Sequence, residues 1–150
     1  MKKKLNTIFR DSLRKNWNLN AFSDYEGETY TYSKVAKHVS FFHEFFASNN
    51  IEPGDKIVLL GRNSAHWAMS YITIVSYGAV VVPILPDFKS NDLHSIINHS
   101  EAVLAIVSDG LAGQLDSAQI TKVRGIISLD NFNLAWERRG KKLANSMTDI

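Results

Sequence analysis

Residues 53–86, PGDKIVLLGRNSAHWAMSYITIVSYGAVVVPILP, decide the fold. Pro53-Gly54-Asp55 is a turn signal, followed by the continuous apolar run Ile57, Val58, Leu59 and Leu60. A polar loop, Gly61-Arg62-Asn63-Ser64, leads into a segment too long and too evenly apolar for a strand. Gly78 stops that segment, and Ala79-Val80-Val81-Val82 is a second short run before Pro83. Short apolar run, helix, short apolar run is the pattern of a βαβ unit whose strands are buried on both faces and need not alternate. The crossover is expected to be right-handed, with ligands gathering beyond the carboxyl ends of the strands. The loop 61–64 lies at such an end and is the first place to look for function.

Working outward, Leu5, Ile8, Phe9, Leu13 and Trp17 recur at helical spacing and predict a first helix with one apolar stripe. Its narrowness favours packing on the chain's own domain over a membrane surface. Residues 21–25 and 28–32 flank Glu26-Gly27 and read as a β-hairpin. Thr31 is placed to cap a long helix through 48, although Lys34 stands where a capping box wants Glu or Gln. Val35, Val39, Phe42 and Phe46 share a face of that helix, with Phe41 and Phe45 beside it; the spacing makes them core rather than an aromatic cofactor box. Asn49-Asn50 can supply the left-handed residue that ends it.

On the other side of the central unit, Ser90 or Asn91 is expected to cap a short helix carrying Leu93, Ile96 and Ile97. Residues 103–107 read as a third buried strand, 111–120 as a weak helix and 126–129 as a fourth strand. Leu134, Ala135 and Trp136 are expected to start a helix that Gly140 stops. The residues alone therefore predict an α/β domain: a mostly parallel, doubly wound sheet with helices on both faces, preceded by a helix and a hairpin. The domain is expected to occupy 1–143, with 144–150 a linker or truncated end.

One hundred and fifty residues suit one domain, which buries roughly 68–70% of the unfolded chain's surface if compact. Apolar residues are 45% and charged residues 21%, so disorder is not the default. The net charge of +2 places its basic clusters at the ends, Lys2-Lys3-Lys4 and Arg138-Arg139 with Lys141-Lys142. No aromatics interleave with the lysines, so solvated termini are favoured over a nucleic-acid or lipid contact. The lack of cysteine excludes disulfides, thiol nucleophiles and cysteine-ligated zinc. No apolar run approaches 18 residues, and no apolar segment follows the N-terminal lysines as in a signal peptide; the expectation is a cytoplasmic chain without a transmembrane segment.

Familiar catalytic signatures are missing. There is no Walker A sequence, no GxGxxG after a strand and no GxSxG elbow. The single glycine of the 61–64 loop makes a weak phosphate cradle, and Asn63 or Ser64 reads better as a helix cap. The pairs His38/His43 and His94/His99 are five residues apart, which on a helix turns the rings about 140° from one another and makes no metal site. His66 sits at the functional end of the sheet and reads as a surface histidine. Asp87 and Asp92 lie near a strand end without the spacing of a paired acid and base.

The order of these signals resembles a known family. ETYTYSKVAKHV at 28–39, residues 51–88 around the central unit, and IINHSEAVLAIVSD at 96–109 look like the N-terminal part of the adenylate-forming enzymes: acyl-CoA synthetases, peptide-synthetase adenylation domains and luciferases. The most specific residues are Gly54-Asp55, Asn63-Ser64, and Gly78-Ala79 leading to Val82-Pro83 and Pro86; Trp67 and Asn98-His99-Ser100-Glu101 look most like the long-chain fatty-acyl-CoA synthetase branch. The resemblance implies a parent ligase that uses ATP, Mg²⁺ and coenzyme A. In it a fatty or other carboxylic acid is activated as its acyl-adenylate and then passed to a thiol. The family's Ser/Thr/Gly-rich phosphate loop, aromatic-Thr-Glu segment, ribose-binding Asp and C-terminal lysine have no counterpart here. No catalytic residue is carried over, and none of the cofactors is expected to bind tightly to this piece. Arg62, Asn63, Ser64 and His66 remain as candidates beside the thiol entrance.

Two readings follow. In one, the chain is an N-terminal piece of a larger ligase, inactive alone, whose partner is the remainder of that ligase and which self-associates when separated from it. In the other, it is a complete non-catalytic α/β binding or interaction module. A Ser/Thr/Gly-rich loop in the downstream reading frame distinguishes them.

Overall fold

The computed structural model describes residues 4–143. The linker expected at 144–150 lies outside the described residues. The central sheet has five strands: β3 (Lys56–Leu60), β4 (Val80–Ile84), β5 (Leu104–Val107), β6 (Gly125–Ser128) and β7 (Leu134–Glu137), in spatial order β4-β3-β5-β6-β7. The first four are mutually parallel, with Ile57 opposite Val81 on one side and Leu104 on the other. Before them come α1 (Leu5–Lys15), the hairpin β1 (Asn20–Ser23) and β2 (Thr29–Thr31), and α2 (Tyr32–Ser48). The helices α3 (Ala65–Tyr77), α4 (Ser90–Ser100) and the one-turn α5 (Asp109–Ala112) connect the parallel strands. The expected doubly wound architecture is present.

The pleat sorts β3 onto two cores. Ile57 and Leu59 pack with Phe42, Phe45 and Phe46 of α2 and Ile74 of α3; Val58 and Leu60 pack with Leu93 and Ile97 of α4. All four strand residues are fully buried, which explains a run with no polar alternation. A third cluster, Val35, Val39 and Met69 with Leu13, Phe22 and Tyr30, seats α1 and the hairpin on the outer side of α2 and α3. No residue of α3 is exposed, as its nearly all-apolar sequence requires.

The caps follow from local chemistry. Thr31 Oγ1 accepts from the Lys34 amide at 3.3 Å, and Asn50 takes the left-handed conformation (φ 53°) just beyond α2. Gly78 ends α3 with φ 97°. A side chain there would be strained, and its Cβ would stand 3.4 Å from Pro53 Cβ, so the βαβ unit turns back on a residue that must be glycine.

Several expectations are corrected. Strand β4 runs through Pro83, and Val80 is 45% exposed: β4 is an edge, so it is not buried on both faces and tolerates a residue without an amide proton. Strands β3 and β5 lie inside the sheet, each with a neighbour on both sides. Helix α1 ends at Lys15, leaving Trp17 beyond it. Lys89, not Ser90 or Asn91, is the N-cap of α4, and no side chain closes it. The helix expected over 111–120 is only α5. After Gly113 the chain turns, with Asp116 accepting from the Ala118 amide and from Gln119. Residues 134–136 are a strand, since Trp136 pairs antiparallel with Ile126. Among the described residues no helix is long and apolar enough to cross a membrane.

Candidate functional site

In the order β4-β3-β5-β6 the chain first moves to one side of β3 and then to the other, so the switch point lies between β3 and β5. The loops beyond their carboxyl ends enclose a crevice of about 430 Å³ lined by Arg62, Asn63, Ser64, Ser108 and Asp130. Gly61 makes this approach possible, because a Cβ there would lie 2.4 Å from Leu129 Cδ2.

The helix end that faces the crevice is already occupied by the chain's own groups. Ser64 Oγ accepts from the Trp67 amide at 3.0 Å, and Asp24 Oδ1, from the hairpin, accepts from the Ala65 amide at 2.7 Å. With the Ala65 and Trp67 amides thus bonded, this helix N-terminus is not an open phosphate site. Asp130 Oδ2 does the same for the Asp109 amide at 2.7 Å. Arg62 reaches Asp87 at 3.5 Å, both side chains about four-fifths exposed. Asn63 is exposed and makes no side-chain hydrogen bond to any described residue.

His66 stands apart from the other three candidates and is not the surface residue expected. Its Nδ1 faces the Leu129 carbonyl oxygen at 2.8 Å; that oxygen only accepts, so Nδ1 carries a proton. Its Nε2 lies 2.8 Å from the Tyr30 hydroxyl, which donates to Glu28 Oε2 at 2.6 Å. Burial, reinforced by the hydrogen bond to Glu28, pushes the Tyr30 phenol up to about 12. The ring packs 4.4 Å from that of Phe132 and borders a second, larger hollow. There His38 is 9% exposed, and burial, reinforced by the charge of His66, pulls its pKa down to about 3.

Sequence reasoning therefore found Arg62, Asn63 and Ser64 in the crevice, but missed Ser108 and Asp130. The signal was available: both lie at the carboxyl ends of β5 and β6, the strands next to β3 on the switch side. As a nucleotide site the crevice is deficient. It presents one guanidinium already facing a carboxylate, Asp130 among its lining, and helix amides already bonded. Among the described residues no three His, Asp or Glu are grouped to hold a metal ion. The residues present do not by themselves fit ATP with its Mg²⁺, and no reaction step is derived through them.

A doubly wound α/β domain with a polar crevice at its switch point defines the class of fold. Residues 9–148 match the sequence model of the AMP-binding enzyme family, and the chain belongs to that family. The medium-chain fatty-acid–CoA ligase of Escherichia coli K12 is 29% identical over 82 residues, 55% of this chain but 14% of that enzyme. The crystal structure of the anthranilate CoA ligase AuaEII in complex with anthranoyl-AMP superposes with a TM-score of 0.77 at 20% identity, over 85% of this chain and 25% of that one. The Klebsiella oxytoca NpsA N-terminal subdomain superposes with a TM-score of 0.65 at 18% identity, over 89% of this chain and 35% of that one. At such identities the superpositions establish the fold, and the chain spans only a fraction of the length of these relatives.

Proposed function

We propose that this chain is the N-terminal portion of an AMP-forming acid–thiol ligase, whose whole reaction converts a carboxylate, ATP and coenzyme A into an acyl thioester, AMP and pyrophosphate. The observation that carries the reading is the family match over residues 9–148 joined to the short share, 14%, that the chain takes of the E. coli ligase. Within the family the fatty-acid branch, long-chain in particular, is the finer assignment. Trp67 and residues 98–101 favour it, and the similarity to a medium-chain fatty-acid–CoA ligase supports it. The parent is read as cytoplasmic, with 1–143 its N-terminal subdomain. The groups that bind the triphosphate then belong to later segments, in keeping with a crevice whose own helix amides are already bonded.

Arg62, Asn63 and Ser64 form one wall of the thiol entrance in this proposal, with Arg62 the group able to meet an anionic coenzyme. His66 acts at a distance, by fixing Leu129 behind that wall. In the parent, Arg62→Ala is expected to raise KM for coenzyme A while leaving the adenylation half-reaction unchanged.

The test has two arms. The isolated chain, given ATP, Mg²⁺ and a panel of carboxylates, is expected to show pyrophosphate exchange equal to the buffer blank, because nothing in it neutralises charge developing on the α-phosphate. The reading frame downstream of codon 150 is expected to encode a Ser/Thr/Gly-rich loop. Exchange dependent on the isolated chain, or a frame without that loop, overturns the proposal. One feature favours the alternative of a self-sufficient binding module: both faces of the sheet are already covered by the chain's own helices.

A further inference from the structure

We propose that the hollow bounded by the hairpin, α2, α3 and the β6–β7 turn binds a small planar aromatic anion, seated against His38 and Phe132 and held at its mouth by Lys34 and Lys37. The cavity, about 640 Å³, is of the size that takes small molecules, roughly 300–1,000 Å³. It is separate from the crevice at the switch point and shares no lining residue with it.

His38 is the reason to expect a ligand. It is more than nine-tenths buried and lines the cavity, yet neither ring nitrogen hydrogen-bonds any described residue. Polar neighbours of the ring are engaged within the chain: His66 by Leu129 and Tyr30, Glu28 by the Tyr30 hydroxyl, and the Asn131 Oδ1 by the Asn133 amide. A ring that lines an open hollow without a protein partner has a hydrogen bond to offer a ligand. Burial pulls the His38 pKa down to about 3, so near neutral pH the ring offers a hydrogen bond and not a charge. The shape of the partner follows from the walls. The His38 and Phe132 rings are 4.4 Å apart at the floor, and Phe41 and Met69 add apolar surface, which suits a flat aromatic body.

Its charge follows from the rim. Lys34, Lys37, His38 and Phe41 fall on one stripe of α2 at helical spacing, with both lysines exposed at the mouth. Glu28 is the one acid in the lining and is engaged by Tyr30, so the mouth is net cationic. A hydroxyl or carbonyl at one end of the ligand meets His38, and a carboxylate or similar anion at the other meets the lysines. This inference concerns binding alone and stands whether or not the parent is a ligase.

The test is an NMR titration of the isotope-labelled 150-residue chain with a hydroxynaphthoate whose hydroxyl and carboxylate lie at opposite ends. Saturable shifts are expected at the His38 ring and the Met69 methyl. Naphthol and naphthalene carboxylate, each lacking one group, are expected to bind more weakly. The double variant Lys34→Glu, Lys37→Glu is expected to lose about tenfold in affinity; it changes exposed residues only, and Glu at 34 completes the capping box, so the fold is not at risk. His38→Phe is expected to erase the preference for the hydroxylated ligand. No saturable shift up to the solubility limit, shifts confined to the crevice of Arg62 and Asp130, or indifference to the lysine reversal would each overturn the proposal.

Discussion

The Asp24 carboxylate accepts a hydrogen bond from the Ala65 amide at 2.7 Å, joining the hairpin to the start of α3 across 41 positions of sequence. It shares the helix end with Ser64, so side chains from two different segments bond the Ala65 and Trp67 amides beside the crevice. Asp24→Ala is expected to cost about 1–2 kcal/mol, as the loss of a charged cap does, and Asp24→Asn a good deal less. Urea midpoints of the three proteins decide this, and a wild-type midpoint for Asp24→Ala would mean that the hairpin is not anchored there.

Gly78→Val is expected to lower stability by about 1 kcal/mol or more, through the left-handed backbone and the contact with Pro53. Gly78→Ala, which adds only the Cβ, separates the backbone part from the bulk. Equal midpoints for Val and Gly would remove Gly78 as the hinge of the βαβ unit.

His38 makes the domain sensitive to acid. Its folded pKa of about 3 lies below the ordinary 6.5, so between these values the unfolded chain binds the extra proton and the folded one does not. The stability contributed is complete above about pH 6.5 and is lost as pH falls towards 3, at most roughly 3–5 kcal/mol. Burial lowers the pKa of His43 as well, against the opposing pull of the Thr73 carbonyl, and its effect has the same sign. The drop in urea midpoint from pH 7 to pH 4.5 is expected to be smaller in His38→Phe than in wild type. An unchanged drop would show that His38 is protonated without opening its site.

Among the described residues strand β4 leaves one border of the sheet unpaired, with Val80 45% and Leu85 67% exposed. The helix face of Trp67, Tyr71 and Ile74 is unsuited to self-association: Ile74 is fully buried, and the two rings stack at 5.6 Å. Self-association of the isolated chain at micromolar concentration is expected to run through β4. Light scattering coupled to size exclusion checks it: Val80→Lys should shift the population to monomer, and a wild-type monomer at all concentrations would dispose of the idea.

Those features were legible in the sequence whose cause is local. Gly78, Thr31 and the 57–60 run announce a cap, a cap and a buried strand, because backbone conformation and burial on both faces each leave a compositional mark. Residues 134–136 did not, since three residues carry no period and become a strand only by pairing with β6. Residues 111–120 have helical apolar spacing, yet Gly110 and Gly113 weaken the helix and Asp116 offers the backbone a turn instead. The site was half legible for the same reason. Arg62, Asn63 and Ser64 adjoin the strand that reveals them, whereas Asp130 reaches the crevice only through the strand order. His66 gains its role from Tyr30, 36 positions before it, and Leu129, 63 after it.

The antiparallel strand β7 has a consequence for biosynthesis. All five strands of the central sheet come from Lys56 to Glu137, each pairing with a strand that precedes it in the chain, and β7 ends the parallel winding at its border. A ribosome adding about 5–20 residues per second delivers this whole set within tens of seconds. Each strand after β3 therefore finds a partner already translated. Within this sheet, the order of synthesis and the order of pairing are the same.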